Sequence, residues 1–231
     1  MQEFRNRVAA GRELAAELNR QLTPRTDTLV LALPRGGVPV ALEIALALDA
    51  ELDVLIVRKL GLPSHAELAM GAIASGGVRV LNEDVMLAGN VDEATLNTVT
   101  EREQRELQRR EQAYRGARPY PRLRGRRLIL VDDGIATGAT MSAAVAAVRS
   151  RQPDEVIVAI PVAPPDSVAR LRRQADQVIA LITPEPFYAI GPWYRDFSQT
   201  EDDEVRESLA RVWHNPSIGQ PGSRDAPRLR P

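Results

Sequence analysis

Five short runs of the chain are nearly unbroken in apolar residues: 28–33, 54–57, 128–131, 156–160 and 178–182. Runs of this length without polar alternation predict parallel strands covered on both faces. Between them, apolar positions recur at helical spacing over 38–48, 92–114, 140–149 and 166–174. Alternation of strand and helix predicts an α/β fold, a central parallel sheet flanked by helices and joined by right-handed crossovers.

Three segments break that rhythm. Residues 60–82 hold Gly61, Pro63, Gly71, Gly76 and Gly77. They predict a loop leading into an antiparallel hairpin, with strands near 70–73 and 78–81 turned at Ser75-Gly76-Gly77. The charged stretch 92–114 keeps Leu96, Val99, Leu107 and Tyr114 at helical spacing, with Glu101–Arg105 and Glu106–Arg110 as i,i+4 pairs, and predicts a largely solvated surface helix. Residues 183–200 combine aromatics, Pro and Gly, while 214–231 are rich in Pro, Gly, Ser and Arg and predict a disordered tail.

Composition narrows the classes. With 231 residues, 44% of them hydrophobic, the chain has enough apolar mass for one well-packed domain and a small appendage. Thirty Lys and Arg against 31 Asp and Glu leave no gross field for nucleic acid or an anionic membrane, so neither partner is expected. The absence of cysteine excludes disulfides, thiolate chemistry and Cys-ligated metals. His65 and His214 lie far apart in sequence, against a histidine zinc site. Residues 1–7 contain no apolar run fit for a signal peptide, and the apolar runs are too short to span a bilayer; a cytoplasmic location is the expectation.

The segment 127–141 is the richest in chemistry. A buried strand delivers Asp132 and Asp133 at its carboxyl end, and a short loop with Gly134, Thr137, Gly138 and Thr140 then opens a helix. Ligands of open parallel sheets bind at that edge, and free amides at a helix start favour an anion. Gly138 lets the backbone approach a phosphate, and the two threonine hydroxyls can donate to it. No lysine follows the glycine, so this is not a nucleoside triphosphate loop of the Walker type. Paired carboxylates before a phosphate cradle suit a sugar phosphate: they can accept from vicinal hydroxyls and stabilise positive charge at an anomeric carbon. After the first strand, Arg35-Gly36-Gly37 form a tight turn with a forked donor, and Pro39 suits the first turn of a helix. Arg58 and Lys59, the only lysine of the chain, are expected to end the second strand at the same edge.

The stretch Val131-Asp132-Asp133-Gly134-Ile135-Ala136-Thr137-Gly138-Ala139-Thr140 resembles the signature of type I phosphoribosyltransferases, which use phosphoribosyl pyrophosphate and a divalent metal. Over 4–209 the chain resembles a bacterial family of such proteins, with Arg-Lys-Leu-Gly-x-Pro, Glu-Leu-Ala-x-Gly-Ala-Ile and Trp-Tyr-Arg-Asp-Phe-Ser-Gln stretches typical of it. The resemblance implies one domain over 1–213, with a core at about 25–182 and a small hood from 1–24 and 183–213. It implies that Asp132 and Asp133 contact the ribose hydroxyls and that Ala136, Thr137, Gly138, Ala139 and Thr140 wrap the 5-phosphate. Arg35, Gly36 and Gly37 would form the pyrophosphate loop, a place where the family often has a strained or cis peptide. Arg58 and Lys59 would meet the leaving group. Residues 61–75, with His65, Glu67 and Met70, would be the flexible loop that closes over the reacting centre. Phe187 or Tyr188 would stack on an acceptor base, and Mg2+ would bind with the substrate near Asp132, Asp133 and Asp196. A homodimer is compatible with this reading.

Two departures qualify the substrate. Hypoxanthine-guanine enzymes carry an acid where Ala136 stands, and a lysine where this chain has Pro161-Val162-Ala163, so ordinary 6-oxopurine salvage is not implied. Transfer to a nitrogen nucleophile is one expectation, and a non-catalytic nucleotide-sensing module of the same fold is the alternative. A hydrolase of phosphorylated sugars is a third, weaker reading.

Overall fold

The computed structural model describes residues 3–63 and 65–215. Of the expected tail, only His214 and Asn215 fall within it; 216–231 lie outside the described residues.

Five strands form a parallel sheet: β1 (Thr28–Ala32), β2 (Glu51–Val54), β6 (Arg127–Val131), β7 (Glu155–Val162) and β8 (Gln177–Ile182), in the order β2-β1-β6-β7-β8. The chain winds outward in one direction from β1 and in the other from β6. The crevice between their carboxyl ends is therefore the topological switch point, where open α/β sheets place their ligands.

Both faces of the sheet are covered, as the unbroken apolar runs require. Val30, Ala32, Ile129, Val131, Ile157 and Ala159 point to one side, with Leu14 and Leu18 of α1 (Arg7–Gln21) and Ile44 of α2 (Gly37–Leu48). Leu29, Leu31, Leu128, Leu130, Val156 and Val158 point to the other, with Met141, Val145 and Val148 of α5 (Ala139–Arg149) and Val168 and Leu171 of α6 (Pro165–Leu171). Each fully buried Leu or Ile in these layers contributes about 1.5–3 kcal/mol. Gly11 lets α1 lie close on α2, since a Cβ there would stand 2.8 Å from the Val40 carbonyl oxygen.

A second, antiparallel sheet, β3 (Val57–Leu62), β4 (His65–Ala74) and β5 (Val78–Leu81), lies against α5. The hairpin at Ser75-Gly76-Gly77 forms where the sequence predicts it, with both glycines at positive φ. Two expectations are corrected here. Residues 54–57 are not one strand: β2 ends at Val54, and β3 begins at Val57 in the other sheet. Leu55 and Ile56 cross between the layers fully buried, so apolar continuity hides the break. Ile56 has already changed partners, its amide donating to Ser75 Oγ (3.0 Å) and its carbonyl accepting from Ser75 N (2.9 Å). Residues 60–69, read as loop, are instead largely strand, with register shifts at Gly61 and Leu62.

Helix α3 spans Glu83–Ala88 and α4 spans Glu93–Arg115. Leu96, Val99, Leu107 and Tyr114 of α4 are buried, as their spacing predicts. Of the two pairs expected on α4, Glu106–Arg110 forms (2.7 Å), while Glu101–Arg105 is not among the ion pairs of the described residues. Helix α7 (Asp202–Trp213) packs on α2 and β2. Of the segments assigned to a hood, α1 and α7 thus pack with the sheet layers. Phe4, Tyr194 and Phe197 form a small separate cluster with Ile190 and Trp193.

Candidate active site

Two loops meet at the switch point. Leaving β1, Leu33 N still donates to the Val131 carbonyl (2.8 Å), which holds the turn against the end of β6. The Pro34–Arg35 peptide is cis. Gly36 and Gly37 are needed for space: an ideal Cβ on Gly36 would stand 2.1 Å from Asp133 Oδ2, and one on Gly37 would stand 2.6 Å from the Val131 carbonyl oxygen. The two sequence-predicted loops are brought into contact by these missing side chains.

The adjacent acids occupy different environments. Asp133 is buried and its Oδ2 accepts from Arg7 Nε at 2.7 Å. The Tyr194 hydroxyl donates to the Asp133 carbonyl, and burial followed by the Asp133 charge pushes that phenol up. Asp132 is partly exposed, and its Oδ1 accepts from the Asp133 amide (2.9 Å). Burial and then the neighbouring Asp133 carboxylate push the Asp132 carboxyl well above the ordinary range. A bound cation would reverse that preference, because a positive charge favours both ionised carboxylates.

The loop after these acids presents its amides. Ala136, Thr137, Ala139 and Thr140 are exposed, while Gly138 is buried at φ 71°, in the left-handed region, and opens α5. Its carbonyls are engaged from behind: Ser167 Oγ donates to Ala136 O (2.7 Å) and Arg170 Nη2 to Thr137 O (2.9 Å). With acceptors tied to α6 and the α5 dipole directed at the loop, the site suits an anion. Gly134 gives room for Ile190, whose Cγ2 would lie 2.6 Å from a Cβ there.

The expected leaving-group cations are placed unequally. Arg35 reaches Asp202 Oδ1 (3.5 Å) and Glu201 (3.9 Å) at the start of α7. Arg58 is held on the buried Glu103 (2.6 Å), which also binds Arg102 (3.0 Å). Lys59 is exposed, with no described carboxylate within 4.0 Å. Neither Arg58 nor Lys59 ends a strand of the parallel sheet; both belong to β3, for the reason given above. The fold nevertheless returns them to the site's edge, where they line a cleft of about 750 Å³ between β3 and α4 together with Thr140 of the loop after Asp133. His65 and Glu67 lie on β4; His65 is exposed.

Phe187 is partly buried against the Phe4–Tyr194 cluster, whereas Tyr188 is 88% exposed. Of the two, Tyr188 has the free ring face. Asp196 is exposed and its Oδ1 accepts from Ser198 N (3.0 Å), a bond that holds its carboxyl below the usual range, with nearby Arg7 adding to the effect. Among the described residues no group of three or more acids or histidines forms a metal cage. One or two carboxylates at Asp132 and Asp133 match the way Mg2+ is bound when substrate oxygens and water complete its shell.

Sequence reasoning missed Arg7, Tyr194 as a donor, Ser167, Arg170 and the acids that hold Arg35 and Arg58. Arg7 stands 126 positions from Asp133, and no local pattern marks such a pair.

Residues 2–191 match the family profile described as phosphoribosyl transferase domain. Over 212 residues the chain is 50% identical to proteins from two strains of Mycobacterium tuberculosis, provisionally named phosphoribosyl transferases. That match covers 92% of this chain and 47% of theirs, so the chain spans about half the length of these curated relatives. The crystal structure of TT1426 from Thermus thermophilus superposes with a TM-score of 0.82 at 42% identity, covering 90% of this chain and 98% of that one. Among the described residues, no helix is long and apolar enough to cross a membrane.

Proposed function

The chain belongs to the phosphoribosyl transferase family, and from that membership we propose that it transfers the 5-phosphoribosyl group of phosphoribosyl pyrophosphate to a nitrogen nucleophile, a nucleobase, releasing pyrophosphate. One observation carries the reading: the missing Cβ of Gly36 brings the pyrophosphate-type turn against Asp133, at the head of the anion loop. One ligand bearing a phosphate at each end of a ribose fits that pair of loops.

In this reading the amides of 136–140 hold the 5-phosphate, and Asp132 and Asp133 accept from the ribose hydroxyls. Gly36, Gly37, Arg35 and Lys59 receive the pyrophosphate, with Arg58 held back on Glu103. The C1–O bond breaks with its electron pair leaving on pyrophosphate, the N–C1 bond forms, and the nucleophile loses its proton. The two carboxylates stabilise the positive charge that develops on the sugar. Ala136 offers no side-chain base for that proton, so the acceptor is one that ionises without help from this loop. Asp132 and Asp133, with Asp196 nearby, would hold Mg2+ together with substrate oxygens, and the ion would there neutralise charge on the leaving group. Tyr188, the more exposed ring, is the better stacking partner for a base, with Phe187 behind it.

The test is a mass-spectrometric screen of nucleobases with phosphoribosyl pyrophosphate and Mg2+, read as nucleotide formation with stoichiometric pyrophosphate release. The carboxylates already seated on Arg35 and Arg58 favour a second reading, a ligand-binding module without turnover. It predicts a ligand-induced melting shift with no pyrophosphate release across the same panel.

A further inference from the structure

Arg7 is the first residue of α1, at the helix end where the dipole disfavours a cation, and no acid accompanies it in the first turn. Its side chain is nevertheless only 12% exposed, and its guanidinium makes three contacts on two segments. Nε donates to Asp133 Oδ2 (2.7 Å), Nη1 donates to the Ser198 carbonyl (2.6 Å), and Cζ stands 4.0 Å over the Phe197 ring. A cation placed against the helix dipole in this way marks a site held for another purpose.

The consequence falls on one oxygen. Asp133 Oδ2 is fixed between Arg7 and the bare Cα of Gly36, and the main chain of the same residue is held by Tyr194. No described nitrogen donates to Oδ1, and the Asp132 carboxyl is the neighbouring group within hydrogen-bond reach of the Asp133 carboxylate. We propose that Arg7 is the positioning residue of the sugar subsite: it turns the Asp133 carboxylate so that one oxygen stays on the protein and the other is offered to the ribose. Phe197 and Ser198 fix Arg7 in turn, so the order of segment 194–198 is coupled to sugar recognition. The inference rests on the phosphoribosyl reading. Arg7 itself touches neither the phosphate loop nor the reacting atoms.

Calorimetry on the full chain, without metal, with ribose 5-phosphate and with inorganic phosphate separates the possibilities. Inorganic phosphate reports the loop 136–140 alone, and ribose 5-phosphate adds the sugar. In Arg7→Met, ribose 5-phosphate affinity is expected to fall roughly 10- to 100-fold, the scale of a lost charge-assisted hydrogen bond, with phosphate affinity unchanged. Arg7→Lys restores part of the loss, because it returns the charge without the planar fork. Phe197→Leu keeps the ion pair, removes the ring beneath it, and should weaken ribose 5-phosphate alone by about two- to tenfold; it carries the test if Arg7→Met does not fold. An equal loss for both ligands makes Arg7 a structural clamp and overturns the inference. A wild type that prefers ribose 5-phosphate, with both variants silent, overturns it as well. A wild type that binds neither ligand overturns the phosphoribosyl reading itself.

Discussion

Asp133 Oδ2 occupies the space that a side chain on Gly36 would fill, 2.1 Å from the ideal Cβ position. Gly36 has an ordinary helical backbone (φ −58°), so its role is room rather than conformational freedom. Gly36→Ala should therefore displace the carboxylate and loosen its pair with Arg7. Overpacking of this kind costs about 1–3 kcal/mol. Urea denaturation should show that loss, and calorimetry a parallel loss of ribose 5-phosphate affinity. An alanine variant with wild-type stability and affinity would mean that the two loops do not meet as described.

The paired acids carry the developing sugar charge in the proposed reaction. Replacing both Asp132 and Asp133 by Asn should lower turnover by roughly two to four powers of ten, the range for lost electrostatic stabilisation. Steady-state kinetics, with the acceptor found by the nucleobase screen, provides the measurement. Unchanged kinetics would falsify the assignment.

Ser167 and Arg170 support the loop 136–140 from α6 through its carbonyls, on the side away from the proposed phosphate. Ser167→Ala leaves the Ala136 carbonyl without its donor and should cost about 0.5–1.5 kcal/mol. Hydrogen exchange at the amides of 136–140 should accelerate, and inorganic phosphate should bind more weakly. Arg170→Ala, acting on the exposed Thr137 carbonyl, should have the smaller effect. Equal exchange rates in wild type and both variants would show that the loop holds its shape alone.

Tyr114 couples α4 to the acid that meets Arg35. Its hydroxyl donates to Asp202 Oδ1 (2.8 Å), the largest cause of the lowered Asp202 carboxyl, followed by the charge of Arg35. A carboxyl lowered in the folded state adds stability above its ordinary value of 3.8, and that stability is lost as the pH falls through the folded value. Tyr114→Phe should thus melt below the wild type at pH 7, with the gap closing as the pH drops below 3.8. A gap that is constant or wider at pH 3 counts against this coupling.

The fold class, the loop from Asp132 into α5 and the hairpin turn at Gly76-Gly77 were legible because each rests on residues close in sequence. Apolar runs report two covered faces, and an acid pair followed by Gly and Thr reports a strand end opening into a helix. The boundary at Leu55 and Ile56 was not legible, since a segment buried while crossing between sheets has the composition of a strand. The engagement of Arg58 was equally hidden. Its partner Glu103 lies on a helix whose charge pattern reads as solvated, and only the docking of α4 on β3 buries that carboxylate.

By itself, then, the sequence determined the parallel sheet and marked the edge where its candidate site lies, because strand burial is written in local periodicity and the acid pair with its Gly and Thr loop in a short motif. Tertiary structure alone decided which guanidinium serves which carboxylate: Arg7 on Asp133, Arg35 on Asp202, Arg58 on Glu103. Such pairings join residues far apart in the chain, and an arginine carries no mark of its partner until packing brings the two together and removes the water between them.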